Sequence, residues 1–576
     1  MAGSRVRKVF RASAGVLAIA AGAFLAVRPF ASVEVMALCV GAGLLASALV
    51  ELVQVRRDHP AKPILAAGFA LASLLVGLWQ PVNLAVVGGV TGSLLVLAGG
   101  AELWSAALLG NPTWPRLLNQ PSNAGFWPSL LVGGAWIVLG SIAVIWTDRT
   151  LLPKAVVLGM YLIIAGLGLI VDLWFPDHRL SRVPDRSRLA GRVVAIVLGS
   201  ALAFAGIGID QGRVAPGAFY GSVTVAGHAA GKLLRADSYT GGTAAGVIAA
   251  RLLYVTTTAQ GSPTVASATI YVPADHVTEQ LPLVVWVHDA TGLSPGCAPS
   301  VRGPAAGGMT FIEQVAQSGY ALLAPDLPGL GAGGEPSYLI GQPEGRAVLD
   351  ALRAARQLNG VRFGDAVLWG YGQGGHASLW AGEIRDNYAP EIALAGIATL
   401  APFTDLTRIF AASERPASAE SADAYLIDSY AEVYPEVVFA DYVRPSAWLR
   451  ARESAARCQD WPGPLLTWLR TLDDSPIWQR PADEGPLAAR LAANSPNGRV
   501  PVPILLAQGG RDELVTRAVQ DRYVADQCRR GTELDYRVYS DLDHRGLVAA
   551  GSPAIAELLS WTAERFAGVT SADNCG

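Results

Sequence analysis

Seven apolar stretches crowd the first 210 or so residues of this 576-residue chain. Each is long enough to cross a bilayer as a helix, which takes about 20 residues. They lie near Gly15–Phe30, Glu34–Val53, Pro63–Trp79, Val82–Leu108, Pro128–Trp146, Leu151–Leu173 and Ala190–Ile209. Arg5, Arg7, Lys8 and Arg11 ahead of the first run give it the look of a signal peptide, but six more spans follow, so it reads as a retained first helix. The N-terminus, the loop with Arg56, Arg57 and Lys62, and the loop with Arg179, Arg182, Arg186, Arg188 and Arg192 share one side, which the positive-inside rule makes cytoplasmic. The opposite loops carry little beyond Arg28, Arg149 and Lys154. Seven crossings are then expected to place everything after Gly212 outside the membrane.

Composition changes at the same point. Through Gly212 there are 16 Lys and Arg against 9 Asp and Glu, and the remainder carries 28 against 38. A basic membrane half joined to an acidic outer half gives no reason to expect a nucleic-acid partner. Only Lys8, Lys62, Lys154 and Lys232 are lysines among the 44 basic residues. That arginine bias, with abundant Ala and Gly, fits a GC-rich bacterial genome and hence a bacterial inner membrane. The expected organisation is a seven-helix transmembrane domain over 1–212, a linker over 213–246 and an extracytoplasmic domain over 247–576.

The membrane half repeats itself. Three hairpins end their second helix in an apolar–acidic–Leu triplet: Val50-Glu51-Leu52, Ala101-Glu102-Leu103 and Val171-Asp172-Leu173. Together with the Gly- and Ala-rich helices, the pattern resembles the six-helix HdeD family of small bacterial membrane proteins, with one helix added. Gly41, Gly43, Gly89 and Gly92 are expected to let helices pack closely. The acidic residues read as helix ends at the interface in preference to an ion path.

From about Gly217 the texture turns to short β-rich runs and amphipathic helices. Strand candidates are Val247–Thr257, Val265–Val272, Leu281–His288, Tyr320–Ala324, Ala366–Trp369, Ala393–Thr399, Val502–Ala507 and Glu533–Tyr539, with helical patterns such as Arg346–Leu358 and Gly374–Arg385 between them. Strands alternating with helices predict an α/β fold with a mostly parallel sheet.

One segment carries chemistry. In Ala366-Val-Leu-Trp-Gly370-Tyr371-Gly372-Gln373-Gly374-Gly375-His376 a strand runs into a small-residue turn and straight out into a helix. This is the setting of the G-x-S-x-G nucleophile elbow, in which a strained turn lifts a serine above the sheet. Here the central residue is Gly372, which has no hydroxyl but tolerates the strained backbone, so its presence removes chemistry and spares the fold. Triad partners follow in the order this fold uses, with Asp512 after the strand Val502–Ala507 and His544 after Glu533–Tyr539. A literal G-x-S-x-G at Gly292-Leu293-Ser294-Pro295-Gly296 lacks the helix that must follow, so Ser294 is not expected to be the nucleophile.

The outer half resembles the secretory lipase family of α/β-hydrolases, typified by fungal lipase A, from about Gly217 to Cys575. The likeness runs through Ala218-Phe-Tyr220, Gly231-Lys-Leu-Leu-Arg235, Val284-Val-Trp-Val-His-Asp289, Cys297-Ala-Pro-Ser300, Ala324-Pro-Asp326-Leu-Pro-Gly-Leu-Gly331, the elbow, and the Asp512 and His544 segments. The resemblance implies that Asp512 orients His544, the general base, and that Asp289 and the Gln373 N–H form the oxyanion hole. It also implies that 403–497, with Trp448, Trp461, Trp468 and Trp478, is a helical lid or cap, whose aromatics serve either as cap core or as acyl contacts. Cys297 is expected to pair with Cys458 and Cys528 with Cys575, in keeping with an oxidising exterior; Cys39 is a packed thiol.

The reading is a membrane-anchored lipase- or esterase-type serine hydrolase acting on acyl esters of envelope lipids, without its nucleophile. Gly372 is open to three accounts: an engineered substitution, natural loss giving a lipid-binding or scaffold pseudoenzyme, or residual hydrolysis by a water that His544 activates. Acyl transfer stands beside hydrolysis, because no residue decides which acceptor reaches the acyl-enzyme. No metal or other cofactor is expected, since His59, His178, His228, His276, His288, His376 and His544 show no ligand spacing. Membrane lipids or acyl esters are the expected partners, with a membrane protein or a second copy of the chain as further possibilities.

Overall fold

The computed structural model describes residues 216–575 apart from 222, 242–243, 277–279, 412–418 and 460–475, together with residues 12, 13, 15, 16, 19, 20 and 163. The expected membrane spans lie outside the described residues, save for those scattered positions. Among the described residues no helix is long and apolar enough to cross a membrane. The chain falls into two units, 1–212 with 463–465, and 213–462 with 466–576. Only the second is described below.

Nine strands form one sheet: β1 (Leu233–Ser238), β2 (Val247–Thr257), β3 (Pro263–Pro273), β4 (Gln280–Val287), β5 (Ala321–Pro325), β6 (Arg362–Tyr371), β7 (Leu394–Leu400), β8 (Ile504–Gly509) and β9 (Leu534–Tyr539). Their order is β1-β2-β3-β5-β4-β6-β7-β8-β9. The pairs from β1 through β5 are antiparallel, and those from β5 through β4 to β9 are parallel. The strand order reverses around β4, the kind of switch point outside which open α/β sheets place their sites.

Nine helices matter here: α1 (Ile312–Gln317), α2 (Gly341–Ala355), α3 (Gln373–Tyr388), α4 (Leu406–Ala411), α5 (Glu420–Val433), α6 (Trp448–Ala455), α7 (Gly485–Asn494), α8 (Arg517–Arg529) and α9 (Pro553–Phe566). β4 shows why the sheet is covered on both faces. Its Leu283, Val285 and Val287 point to a core with Val348, Leu349 and Leu352 of α2 and Leu379 of α3. The alternate residues Val284 and Trp286 point the other way, to Val315 of α1 and Leu558 and Trp561 of α9. On that side the Phe311 ring meets Trp286 at 4.8 Å and Trp369 at 5.4 Å, both edge-on, as aromatic quadrupoles prefer. A strand apolar on both faces reads as a continuous run, which is how Leu283-Val-Val-Trp-Val287 appears in the sequence.

Between β7 and β8 the chain leaves the sheet to build α4–α7, the helical insertion expected over 403–497. Phe403, Leu406, Phe410, Tyr425, Leu426, Tyr430, Ile477 and Leu487 form its own apolar cluster. Trp448 and Trp478 pack against that cluster, which makes them cap core, while Trp461 and Trp468 lie outside the described residues.

Candidate active site

Two glycines let strand, turn and helix close on one another at the carboxyl edge of the sheet. A β-carbon on Gly374 would lie 1.9 Å from the Val287 carbonyl oxygen, so only glycine lets α3 start this near β4. Gly372, between β6 and α3, has φ 53° and ψ −114°. That positive φ is the strained conformation in which an elbow presents its residue above the sheet.

The chain brings Asp512 and His544 together from the ends of β8 and β9. Asp512 Oδ1 accepts the N–H groups of Leu514 and Val515 at 2.9 and 2.8 Å, which fixes the carboxylate. Its Oδ2 lies 2.7 Å from His544 Nδ1. A carboxylate there makes Nδ1 the donor, so Nε2 faces the elbow. The Tyr371 hydroxyl donates to the His544 carbonyl at 3.1 Å, and the Tyr371 and Phe403 rings stand 5.0 and 6.4 Å from the imidazole.

Asp289 stands at the elbow beside the Gln373 N–H, the two groups expected to lie together there, and its Oδ1 accepts that N–H at 2.9 Å. A β-carbon added to Gly372 would lie 2.2 Å from the same Oδ1. Glycine at this position leaves the room that the Asp289 carboxylate occupies. Asp289 Oδ2 reaches to 3.7 Å from His544 Nε2, an ion-pair distance. Burial penalises the imidazolium, but Asp289 and Asp512 outweigh it and push His544 up to about 9. His544 is therefore charged at neutral pH and is a proton donor, where a serine hydrolase needs an acceptor.

Ser294 is placed away from chemistry, its Oγ donating to the Ala456 carbonyl at 2.8 Å. That contact belongs to a seam between the Asp289 loop and the end of α6. Cys297 is bonded to Cys458, and Gln459 N donates to Thr291 O at 2.9 Å. The second bond joins Cys528 to Cys575.

A buried network behind the elbow escaped the sequence reading. Glu344 Oε1 accepts from Gln373 Nε2 at 2.6 Å and Leu339 N at 2.9 Å, while Oε2 pairs with His376 Nδ1 at 2.6 Å. His376 Nε2 in turn donates to Asn494 O of α7 at 2.8 Å. The signal was a helix start: α2 begins at Gly341, ahead of the expected Arg346, so Glu344 falls in its first turn.

Comparison with known proteins agrees with this architecture. Residues 306–453 match the secretory lipase family, and residues 13–82 match a short repeat of unknown function, DUF308. A Mycobacterium tuberculosis protein named "Probable inactive lipase" is 35% identical over 179 residues, 28% of this chain and 39% of its own length. Lipase 6 of Candida albicans is 26% identical over 298 residues, 46% of this chain and 60% of its own. The chain thus spans less than two thirds of either relative. Candida antarctica lipase A in its closed state superposes with a TM-score of 0.51 at 19% identity, covering 62% of this chain and 87% of that one, a likeness of fold.

Proposed function

We propose that the chain is a membrane-anchored, extracytoplasmic lipase-fold protein whose serine-hydrolase site is silent toward acyl esters. The observation that carries this reading is the Asp289 carboxylate standing where a Gly372 side chain would be, with the Asp512–His544 pair intact beside it. Loss of the nucleophile alone costs on the order of 10⁶ in kcat in a serine hydrolase. The carboxylate adds a second block, because it uses the elbow N–H and keeps His544 protonated.

Anchoring is supported by the seven apolar stretches and the one-sided arginine loops, and the triplet repeat favours an HdeD-like bundle for residues 1–212. The two disulfides suit an oxidising compartment outside the inner membrane. The cap and its apolar cluster favour acyl chains or membrane lipids as what the domain meets, bound without turnover.

The test is turnover of p-nitrophenyl esters of several chain lengths by the unmodified full chain in detergent, beside His544→Ala. The two should be indistinguishable, with saturable binding of lipid raising the melting temperature. Ester turnover that disappears in His544→Ala contradicts the reading.

A further inference from the structure

The cap returns to the sheet along one stripe of α3. His376, Trp380 and Glu383 are spaced i, i+4 and i+7, so they share a face of that helix. His376 Nε2 and Trp380 Nε1 both donate to the carbonyl of Asn494, the last residue of α7, at 2.8 and 2.9 Å. One turn further along α3, Glu383 Oε1 accepts the N–H of Gly498 at 2.7 Å. Gln527 Nε2 of α8 donates to the Gly498 carbonyl at 3.0 Å. Gly498 is thus gripped from two helices where the chain leaves the cap for β8. A β-carbon there would lie 2.6 Å from Glu383 Oε2, so the carboxyl sits directly against the backbone.

This last grip is an acid without a counterion. Among the described residues the Gly498 N–H is the only hydrogen-bond donor to Glu383, and Glu383 joins no ion pair. Facing it are His376 on its own helix, Tyr523 on α8 and Arg530 just past α8, while Arg499 beside Gly498 is exposed. Burial pushes the Glu383 carboxyl up from 4.5 to about 7, against the Gly498 N–H, His376 and Arg530, which favour the charge. A group that changes charge near neutrality therefore stands at the seat of the cap, away from the Asp512–His544 pair.

We propose that Glu383 is a pH-sensitive pin for the cap's return segment, holding Gly498 when neutral and loosening it when charged. The sign follows from burial. A neutral carboxyl keeps its carbonyl oxygen on the Gly498 N–H and costs little to bury, whereas a carboxylate regains water only when the turn around Gly498 lifts away. A folded value above the ordinary one gives stability that is fully present below 4.5 and is lost as pH rises through 7. Asn494 stays held by His376 and Trp380, so the loosening is confined to the turn between α7 and β8. The pin sets how firmly the cap is seated, whatever the elbow does to esters.

The test is hydrogen exchange of the full chain in detergent, read by mass spectrometry on peptides that contain Gly498 and corrected for the intrinsic pH dependence of exchange. Opening at this turn should rise about tenfold between about pH 6 and about pH 8.5, the amount that values of 4.5 and 7 give. Glu383→Gln keeps a carbonyl for the Gly498 N–H and cannot take a charge, so in it the rise should vanish and the turn should stay protected at the higher pH. Any contribution from His544 cancels, because both chains keep it. Arg530→Ala removes an exposed facing cation without touching the contact, and it should carry the rise to higher pH; it reads the same group if the glutamine variant does not fold. Opening that is unchanged across this range in the unmodified chain overturns the proposal. So does a rise that survives intact in folded Glu383→Gln, or one that Arg530→Ala leaves where it was.

Discussion

Asp289 Oδ1 lies 2.2 Å from where a β-carbon on Gly372 would stand, so the two residues occupy one site between them. Glycine at the elbow and the carboxylate reaching into the elbow are complementary in space. The side chain that should rise from β6 is replaced by one reaching across from β4, and the pair Asp512–His544 serves a different charge as a result.

The first consequence is a pH signature. His544 at about 9 when folded, against an ordinary 6.5, contributes stability that is fully present below 6.5 and is lost as pH rises through 9. The effect is on the order of 3 kcal/mol and should appear as a falling melting temperature between those values. Asp289→Asn should lower the His544 titration midpoint, read by NMR of the imidazole. A midpoint unmoved by that change means the carboxylate is not where it is described.

Gly374→Ala tests the seat of the elbow. Alanine is normally the better helix residue, yet here its β-carbon meets a β4 carbonyl that cannot step aside. A loss of about 1–3 kcal/mol or more in urea unfolding is expected, the usual result of overpacking. A gain in stability means that α3 starts farther from β4.

The network behind the elbow makes a third prediction. Glu344→Ala strands the Gln373 amide, Leu339 N and His376 Nδ1 without their acceptor in a buried place. The cost should be about 3 kcal/mol or more by chemical denaturation, and less for Glu344→Gln, which keeps one acceptor.

The disulfides differ in what they hold. Cys297–Cys458 spans 161 residues of sequence and joins the Asp289 loop to the cap, whereas Cys528–Cys575 spans 47. Replacing the first pair by serines should cost more of the typical 2–4 kcal/mol and should raise proteolysis of the cap; replacing the second should leave the cap protected. Equal protection in both contradicts the seam between cap and loop.

Much of this was legible in the sequence because it rests on local pattern. β2 matches its expected bounds, and the elbow and Asp512 each follow a buried apolar run that marks the sheet's edge, while His544 follows β9, in which polar and apolar residues mix. β1 was missed: Leu233–Ser238 is half polar and borders the sheet, so no burial pattern marks it. Asp289 is expected beside Gln373 from the resemblance, but the hydrogen bond that joins them is not legible in the sequence. Its position depends on space left by a residue far away in sequence, and periodicity carries no record of such space. Glu344 was invisible for a related reason, since its role follows from where α2 begins, and helix ends are set by tertiary contacts such as Asn494 capping Gly341 N.

The most direct test of the central claim is esterase activity of Gly372→Ser, with Gly372→Ser/His544→Ala as control. The serine must push the Asp289 carboxylate aside, which a side-chain terminus allows, and His544 can then serve it as base. The account predicts p-nitrophenyl ester hydrolysis that appears with the serine and disappears with His544. A folded Gly372→Ser chain without activity contradicts it, and shows that more than one residue separates this cleft from a working lipase.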